Sequence, residues 1–271
     1  MTAIWFALAG IGLFVGGFGT LVGVAGGFLL VPILLFLYPN ETPSTVTSIT
    51  LTVAFFNALS GSFAYGRMKR IDYRSGGMFA IAAIPGAILG ANLVNLLNRG
   101  AFQYIFGSIL IIVAGYMLFR PSSTAQGGFL QKWCVRREVT DHAGTVHRYS
   151  YNLPLGMGIA FFVGTVSGLL GIGGGIIHVP ALTQVLCFPV HIATATSHFM
   201  VAVTTLSAIV THLVQGTFTG SLGVPAVLSV GAIIGAQFGA RLSKRVSGTL
   251  IVRLLAVGLI VVALRLLISP V

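Results

Sequence analysis

Residues 14–32 read FVGGFGTLVGVAGGFLLVP, and residues 162–180 read FVGTVSGLLGIGGGIIHVP. Nine of the nineteen positions are identical when the two stretches are aligned without a gap. Self-similarity of this kind marks an internal repeat. Each copy is an apolar run that a glycine cluster interrupts and a Val-Pro pair closes. The sequence therefore predicts two related halves, each organised around one interruption.

The composition excludes a soluble globular protein. Of the 271 residues, 56% are hydrophobic and 7% are charged, and the mean hydropathy is +0.99. Soluble domains carry about a quarter of charged residues, so this chain could not cover itself with a hydrated surface. It predicts an all-α polytopic membrane protein. The net charge of +11 lies mostly in short connections between apolar runs, which indicates topology signals rather than a nucleic-acid surface.

The chain divides into two repeats and a linker. We expect a first transmembrane repeat at 1–119, a basic cytoplasmic linker with a β-hairpin at 120–151, and a second repeat at 152–271. A single helix over residues 3–38 would reach about 54 Å, whereas the hydrocarbon core is about 30 Å thick. Each repeat is therefore predicted to hold a helix, a returning half-helix after the glycine break, and three further membrane helices.

The basic connections predict the topology. They lie at 67–74, 120–148 and 241–245, and the positive-inside rule assigns all three to the cytoplasm of a multi-pass inner (plasma) membrane protein. Because the first and third follow different helices of their repeats, the halves are predicted to be inverted. A parallel eight-span arrangement, with the half-helices as re-entrant loops, is the alternative.

The glycine breaks are the first candidate binding elements. Unwound backbone at membrane depth is tolerated where it is buried in protein or lines a cavity, and helix N-termini bind anions. The glycines concerned are Gly26, Gly27, Gly173, Gly174 and Gly175. Pro32 and Pro180 are predicted as structural breaks. Small-residue helix packing is the competing explanation, and it accounts for the pairs Gly12/Gly16, Gly86/Gly90 and Gly235/Gly239.

Polar side chains in the apolar runs extend the candidate site. A Thr-Ser pair begins the second helix of both halves, and neutral donors and histidines follow. The substrate-binding candidates are Thr47, Ser48, Asn57, Thr196, Ser197, His198, His212 and Gln237. The only acidic residues, Glu41, Asp72, Glu138 and Asp141, all fall in connections. A hard-cation site in the membrane is therefore excluded, neither metal nor cofactor is expected, and the interior suits an anion.

The sequence resembles the sulfite exporter TauE/SafE family of membrane permeases. The motif GLLGIGGGIIHVP at 168–180, followed by ATATSH at 193–198, carries the resemblance. The first copy departs from it, because Ala25 stands where the second copy has Gly173, so the two half-sites are expected to be unequal. The resemblance implies transport of sulfite, sulfonates or other small, often sulfur-containing, anions.

The resulting hypothesis is a permease, not an enzyme, that works by alternating access with the anion bound between the two breaks. His198 would supply positive charge or relay a proton. A passive anion channel is the first alternative, and a polytopic membrane enzyme with a histidine metal site is the second. The expected partners are a small-molecule anion, the lipid bilayer and, in a homodimer, a second copy of the chain. Nucleic acid is not expected.

Overall fold

The computed structural model describes residues 2–119, 133–217 and 223–268. Within these ranges the chain forms ten α-helices and one antiparallel two-stranded sheet. The elements are α1 Thr2–Val22, α2 Gly27–Leu37, α3 Pro43–Arg67, α4 Tyr73–Leu93, α5 Arg99–Phe119, β1 Cys134–Thr140, β2 Val146–Asn152, α6 Leu153–Leu170, α7 Gly175–Pro180, α8 Val190–Val214, α9 Gly223–Leu242 and α10 Gly248–Ile268. A 3₁₀ turn at Val94–Leu96 extends α4, and a π turn at Ala181–Val185 extends α7.

Eight of the described helices are long and apolar enough to cross a membrane, and α2 and the α7 segment are shorter apolar helices. The prediction of an all-α polytopic membrane protein is confirmed. The predicted interruptions also occur, since α1 ends at Val22 before α2 begins at Gly27, and α6 ends at Leu170 before α7 begins at Gly175. Each half thus holds one long helix, one short helix and three further long helices.

Pro32 is not a structural break, and that prediction is wrong. It lies inside α2, which continues to Leu37. The missing proline N–H removes one helical hydrogen bond, and the tightly buried surroundings of α2 hold the helix together around it. Pro180 is the last residue of α7, where the backbone changes from an α-helix to the π turn.

Helices of different halves pack through glycine. On α1, a Cβ added to Gly16 would lie 2.6 Å from the Cα atom of Ala232 on α9. On α4, a Cβ added to Gly90 would overlap the carbonyl oxygen of Thr165 on α6. The glycine pairs that the sequence assigned to helix packing therefore serve that purpose, because they let two backbones approach where lipid supplies no hydrophobic driving force.

The hairpin formed by β1 and β2 is fastened to the membrane helices through its turn. The Asp141 carboxylate lies 3.7 Å from the guanidinium of Arg70 and 3.7 Å from the imidazole of His147. The backbone N–H of His142 donates to the carbonyl oxygen of Met68 at 3.0 Å. Burial opposes ionisation of Asp141, but the N–H groups of Thr145 and Ala143 and the charge of Arg70 outweigh it, so its pKa is lowered.

A second carboxylate fastens the strands. Asp72 caps the start of α4 by accepting from the backbone N–H of Ser75 at 3.0 Å. Its side chain also accepts from the hydroxyl of Tyr149 on β2 at 2.8 Å and lies 3.7 Å from Arg137 on β1. Burial, followed by the neighbouring Asp72 carboxylate, raises the pKa of Tyr149, so this hydroxyl stays protonated and donates. The connection between α3 and α4 and the hairpin therefore form one end of the protein.

We expect Gly90→Ala to destabilise the protein by about 1–3 kcal/mol, because its methyl group must displace the α6 backbone. Thermal unfolding of the detergent-solubilised protein measures the change. Gly158→Ala on α6 is the matched control, since nothing lies within 4 Å of the added methyl group. Equal melting temperatures for the two variants would contradict the packing described here.

We expect Asp141→Asn to speed trypsin cleavage of the hairpin about fivefold at neutral pH, as a loss of about 1 kcal/mol of docking energy requires. Glu138→Gln is the control, because the Glu138–Arg148 pair is more than half exposed on both sides. In the wild type, the contribution of Asp141 is present above its ordinary pKa of 3.8 and is lost as the pH falls through the lowered value. Equal protection in both variants would mean that Asp141 does not hold the hairpin.

Candidate functional site

The two glycine breaks meet in the interior of the protein. A Cβ added to Gly27 would lie 2.9 Å from the carbonyl oxygen of Ile172, and one added to Gly175 would lie 2.9 Å from that of Gly23. Between them Val24 and Ile172 are fully buried. The breaks therefore fill each other's space, and the predicted gap for an anion is closed in this conformation.

Left-handed backbone forms both breaks. In the first break the φ angles of Ala25 and Gly26 are 56° and 74°, and in the second those of Gly173 and Gly174 are 73° and 79°. In this left-handed region the Cβ atom of alanine clashes with the backbone, whereas glycine has no Cβ atom. Ala25 thus adopts the geometry of its glycine counterpart, and the sequence difference between the two copies leaves the backbone path unchanged.

The Thr-Ser pairs are bound to protein groups. The Ser48 hydroxyl donates to the carbonyl oxygen of Thr45 at 2.8 Å, and that of Thr47 donates to Ser44 at 3.0 Å. In the second half, Ser197 donates instead to the Gly23 carbonyl oxygen of the opposite break at 3.0 Å. The Thr196 hydroxyl accepts from the backbone N–H of Asp72 at 3.1 Å. Their role as solute ligands stays a prediction.

A buried polar cluster lies beside the breaks. The Thr20 hydroxyl donates to the Asn57 side-chain oxygen at 2.7 Å and lies 3.2 Å from Nε2 of His198. Tyr65 donates to the Thr20 carbonyl oxygen at 2.8 Å, and its ring meets that of His198 edge-on at 5.5 Å between centroids. All four residues are at most 1% exposed, and the Asn57 amide nitrogen finds no hydrogen-bond partner in the part of the chain that the structure describes. The cluster thus holds an unused buried donor.

Gln237 lies between this cluster and the surface. Its side-chain nitrogen donates to the Ser60 hydroxyl at 2.8 Å and to the Ser60 carbonyl oxygen at 2.9 Å. The next residue, Gly61, is packed against the His198 ring. Gln237 also lines a cavity of about 210 Å³ at the hairpin end, together with Ala64, Arg67, Met68, His142, Arg241 and Lys244. Three basic side chains therefore line this cavity.

His212 does not join the cluster. It lies fourteen residues beyond His198 on α8, which is about 21 Å along a helix axis. Its Nδ1 atom lies 3.1 Å from the Thr217 hydroxyl. Within the described ranges, no three side chains of the His, Cys, Asp and Glu types gather as a metal site would require. Asn57 and His198 therefore lie in one cluster, and His212 lies outside it.

Three residues of the cluster region were absent from the sequence-based candidates: Thr20, Ser60 and Tyr65. Thr20 had a usable signal, because it is the only hydroxyl residue between positions 3 and 37. A lone hydroxyl in such a run needs a partner, and here the partners come from α3 and α8. Ser60 and Tyr65 carried no such signal on a helix with many hydroxyls.

The comparison with known proteins identifies the family. The family model described as "Sulfite exporter TauE/SafE" matches residues 8–266. The chain belongs to this family. Among its relatives, the "Probable membrane transporter protein YunE" of Bacillus subtilis (strain 168) is 33% identical over 266 residues, covering 94% of both chains. A probable membrane transporter protein of Methanocaldococcus jannaschii is 25% identical over 250 residues, covering 88% of this chain and 85% of its own.

A probable membrane transporter protein of Xylella fastidiosa (strain Temecula1) is also similar, at 27% identity over 247 residues, covering 90% of this chain and 86% of its own. No solved structure matches the chain significantly. The family is named for a sulfite exporter and these relatives are described as probable membrane transporters, so the predicted class, a membrane transporter rather than an enzyme, is confirmed.

We expect Ser197→Ala to cost about 1 kcal/mol more stability than Ser48→Ala. The first variant leaves the buried Gly23 carbonyl oxygen without its cross-repeat donor, whereas the second removes a bond within one helix. Thermal unfolding in detergent compares the two equivalent positions under identical conditions. A Ser48→Ala variant that is the less stable of the two would contradict the assigned bonds.

Proposed function

We propose that this TauE/SafE member carries small oxyanions, such as sulfite and organosulfonates, across the membrane by alternating access. The observation that carries the proposal is the buried Thr20–Asn57–His198 cluster, in which the Asn57 amide nitrogen has no hydrogen-bond partner among the described residues. A cavity lined by basic side chains lies nearby, at the hairpin end. A buried donor without a partner costs free energy unless a ligand accepts from it. An oxyanion supplies acceptors and complements the positive charge of this cavity.

The absence of intramembrane acidic side chains in the sequence favours an anion over a cation. All four carboxylates of the chain lie outside the membrane-spanning helices, Glu41 and Asp72 in connections and Glu138 and Asp141 in the hairpin. Asp72 lies 3.7 Å from Arg137 of the hairpin, and Asp141 lies 3.7 Å from Arg70. Carriers of sodium or other hard cations need oxygen ligands with negative charge. Neutral donors with cationic surroundings suit sulfite or a sulfonate instead.

Two inverted repeats supply the mechanism in this proposal. The equivalent helices α3 and α8 pack antiparallel, since Gly61 meets His198 while Leu51, earlier on α3, clusters with Ala208, later on α8. This supports inversion over the parallel arrangement. The breaks meet where the repeats face each other, so their separation would expose the backbone donors of Gly26, Gly27, Gly174 and Gly175 to the solute.

Burial favours a carrier over a passive channel. Thr20, Asn57 and His198 are fully buried, and Val24 and Ile172 close the space between the breaks. A channel would need a continuous wet path in its conducting state, whereas a carrier needs this closed conformation in every cycle. We assign the hairpin end to the cytoplasm, because the basic residues of 67–74, of the hairpin and of 241–245 lie there. A homodimer stays a prediction.

Transport in proteoliposomes tests the proposal. We expect saturable uptake of sulfite or a small sulfonate, with counterflow when unlabelled solute is trapped inside, from a panel that also contains sulfate, acetate and chloride. An imposed pH gradient tests whether His198 relays a proton. Counterflow distinguishes the carrier from a channel, and a correctly folded protein that moves none of these anions would contradict the proposal.

We expect Thr20→Val to lower the rate of transport at least tenfold, because the hydroxyl that joins Asn57 to His198 is lost while the side-chain volume is kept. Thr204→Val is the matched control. Thr204 is equally buried on α8, but its hydroxyl donates only to Met200 and Val201 of its own helix. Equal transport by the two variants, at equal thermal stability, would remove the cluster from the solute path.

A further inference from the structure

The two ends of the transport path are built from equivalent positions with different chemistry. The repeat aligns residues 85–93 with residues 234–242, so Asn92 corresponds to Arg241. Continuing the alignment, Asn95 corresponds to Lys244. Asn92 and Arg241 lie in the last turns of the equivalent helices α4 and α9, and Asn95 and Lys244 lie directly after these helices. The same place in the fold is therefore cationic at one end and neutral at the other.

At the hairpin end these positions face open space. Arg241 and Lys244 line the cavity of about 210 Å³ with Arg67 from α3 and His142 from the hairpin turn. Within the described part of the chain, none of the three cations has a carboxylate within 4.0 Å. The nearby carboxylate of Asp141 is engaged by Arg70. The cavity thus keeps its full positive charge.

At the opposite end the equivalent positions are bridged. The Gln215 side-chain nitrogen donates to the Asn92 side-chain oxygen at 2.7 Å, and the Asn95 side-chain nitrogen donates to the Gln215 oxygen at 3.0 Å. These bonds join the ends of α4 and α8. Gln215 corresponds to Gly66 at the hairpin end, where no side chain is present to form such a bridge. We call this trio, Asn92, Asn95 and Gln215, the amide bridge.

We propose that Arg67, Arg241 and Lys244 form a loading site for the transported oxyanion, and that the amide bridge closes the equivalent place at the other end without offering one. This inference rests on the proposed function. A cationic cavity concentrates anions and raises their association rate, and salt screens the effect. The transporter therefore takes up solute at lower concentration from the hairpin end than from the other end.

The decisive variant, which we call the exchange variant, replaces the basic residues at the hairpin end with the neutral residues found at the equivalent positions. Arg241→Asn with Lys244→Asn gives the hairpin end the residues of its counterpart. Right-side-out and inside-out membrane vesicles report the KM at each face. We expect the KM at the hairpin face to rise about tenfold and to lose most of its dependence on ionic strength, with the KM at the other face within twofold of wild type.

The control variant removes the same charge from the same end. Arg74 and Arg245 are exposed residues of the same connections and do not line the cavity. We expect Arg74→Asn with Arg245→Asn to leave both KM values within twofold of wild type. An unchanged KM in the exchange variant, or an equal rise in the control variant, would overturn the loading site while leaving the proposed function intact.

A binding measurement separates this inference from the proposed function. Sodium sulfite, compared with sodium chloride at equal ionic strength, is expected to raise the melting temperatures of the purified wild type and of the control variant by equal amounts, and that of the exchange variant, which keeps the buried cluster, by a smaller amount. Wild-type protein that transports no anion would contradict the proposed function. Equal sulfite stabilisation of all three proteins would overturn the loading site, whether or not transport occurs.

Discussion

The contact between the two glycine breaks is the constraint on which the rest of the structure depends. Unwound backbone cannot face lipid, because nothing there satisfies its polar groups. Each break is therefore covered by the other, with Gly27 against Ile172 and Gly175 against Gly23. Only residues without a side chain fit at these two positions. The long helices α3 and α8 complete the cover, and Ser197 on α8 donates to the buried Gly23 carbonyl oxygen.

The polar cluster follows from this arrangement. Bringing the breaks together draws α3 and α8 across the interior, where Asn57 and His198 approach the end of α1. Thr20 joins them because it lies one turn before the first break. A core of this kind is costly unless its donors are used, and the Asn57 amide is not. In the proposed function, an oxyanion that accepts a hydrogen bond from this amide offsets the free-energy cost of burying it.

More of the fold than of the candidate site could be predicted from the sequence. Hydropathy and the length of the 3–38 run sufficed for the helices and for the first break, since the bilayer fixes how far a helix can extend. The hydroxyl positions were less informative, because the Ser48 and Thr47 hydroxyls donate to backbone carbonyl oxygens of their own helix. Thr20 and His198 are 178 residues apart, and no local pattern reports such a pairing. The sequence analysis named both His198 and His212 as candidates, although fourteen residues of one helix separate them.

The close packing of helices through glycine also determines which groups of helices can move as rigid units. The first helix of each half packs backbone to backbone on the fourth helix of the other half, α1 on α9 and α6 on α4. Sliding either pair would drive carbonyl groups into Cα atoms, since no side chain separates them. The sequence halves are therefore not the rigid units, although the repeat suggests that they are. Each tightly packed unit joins helices of both halves. In the proposed alternating-access cycle, α3 and α8, which carry the cluster between these units, would accommodate the change of access.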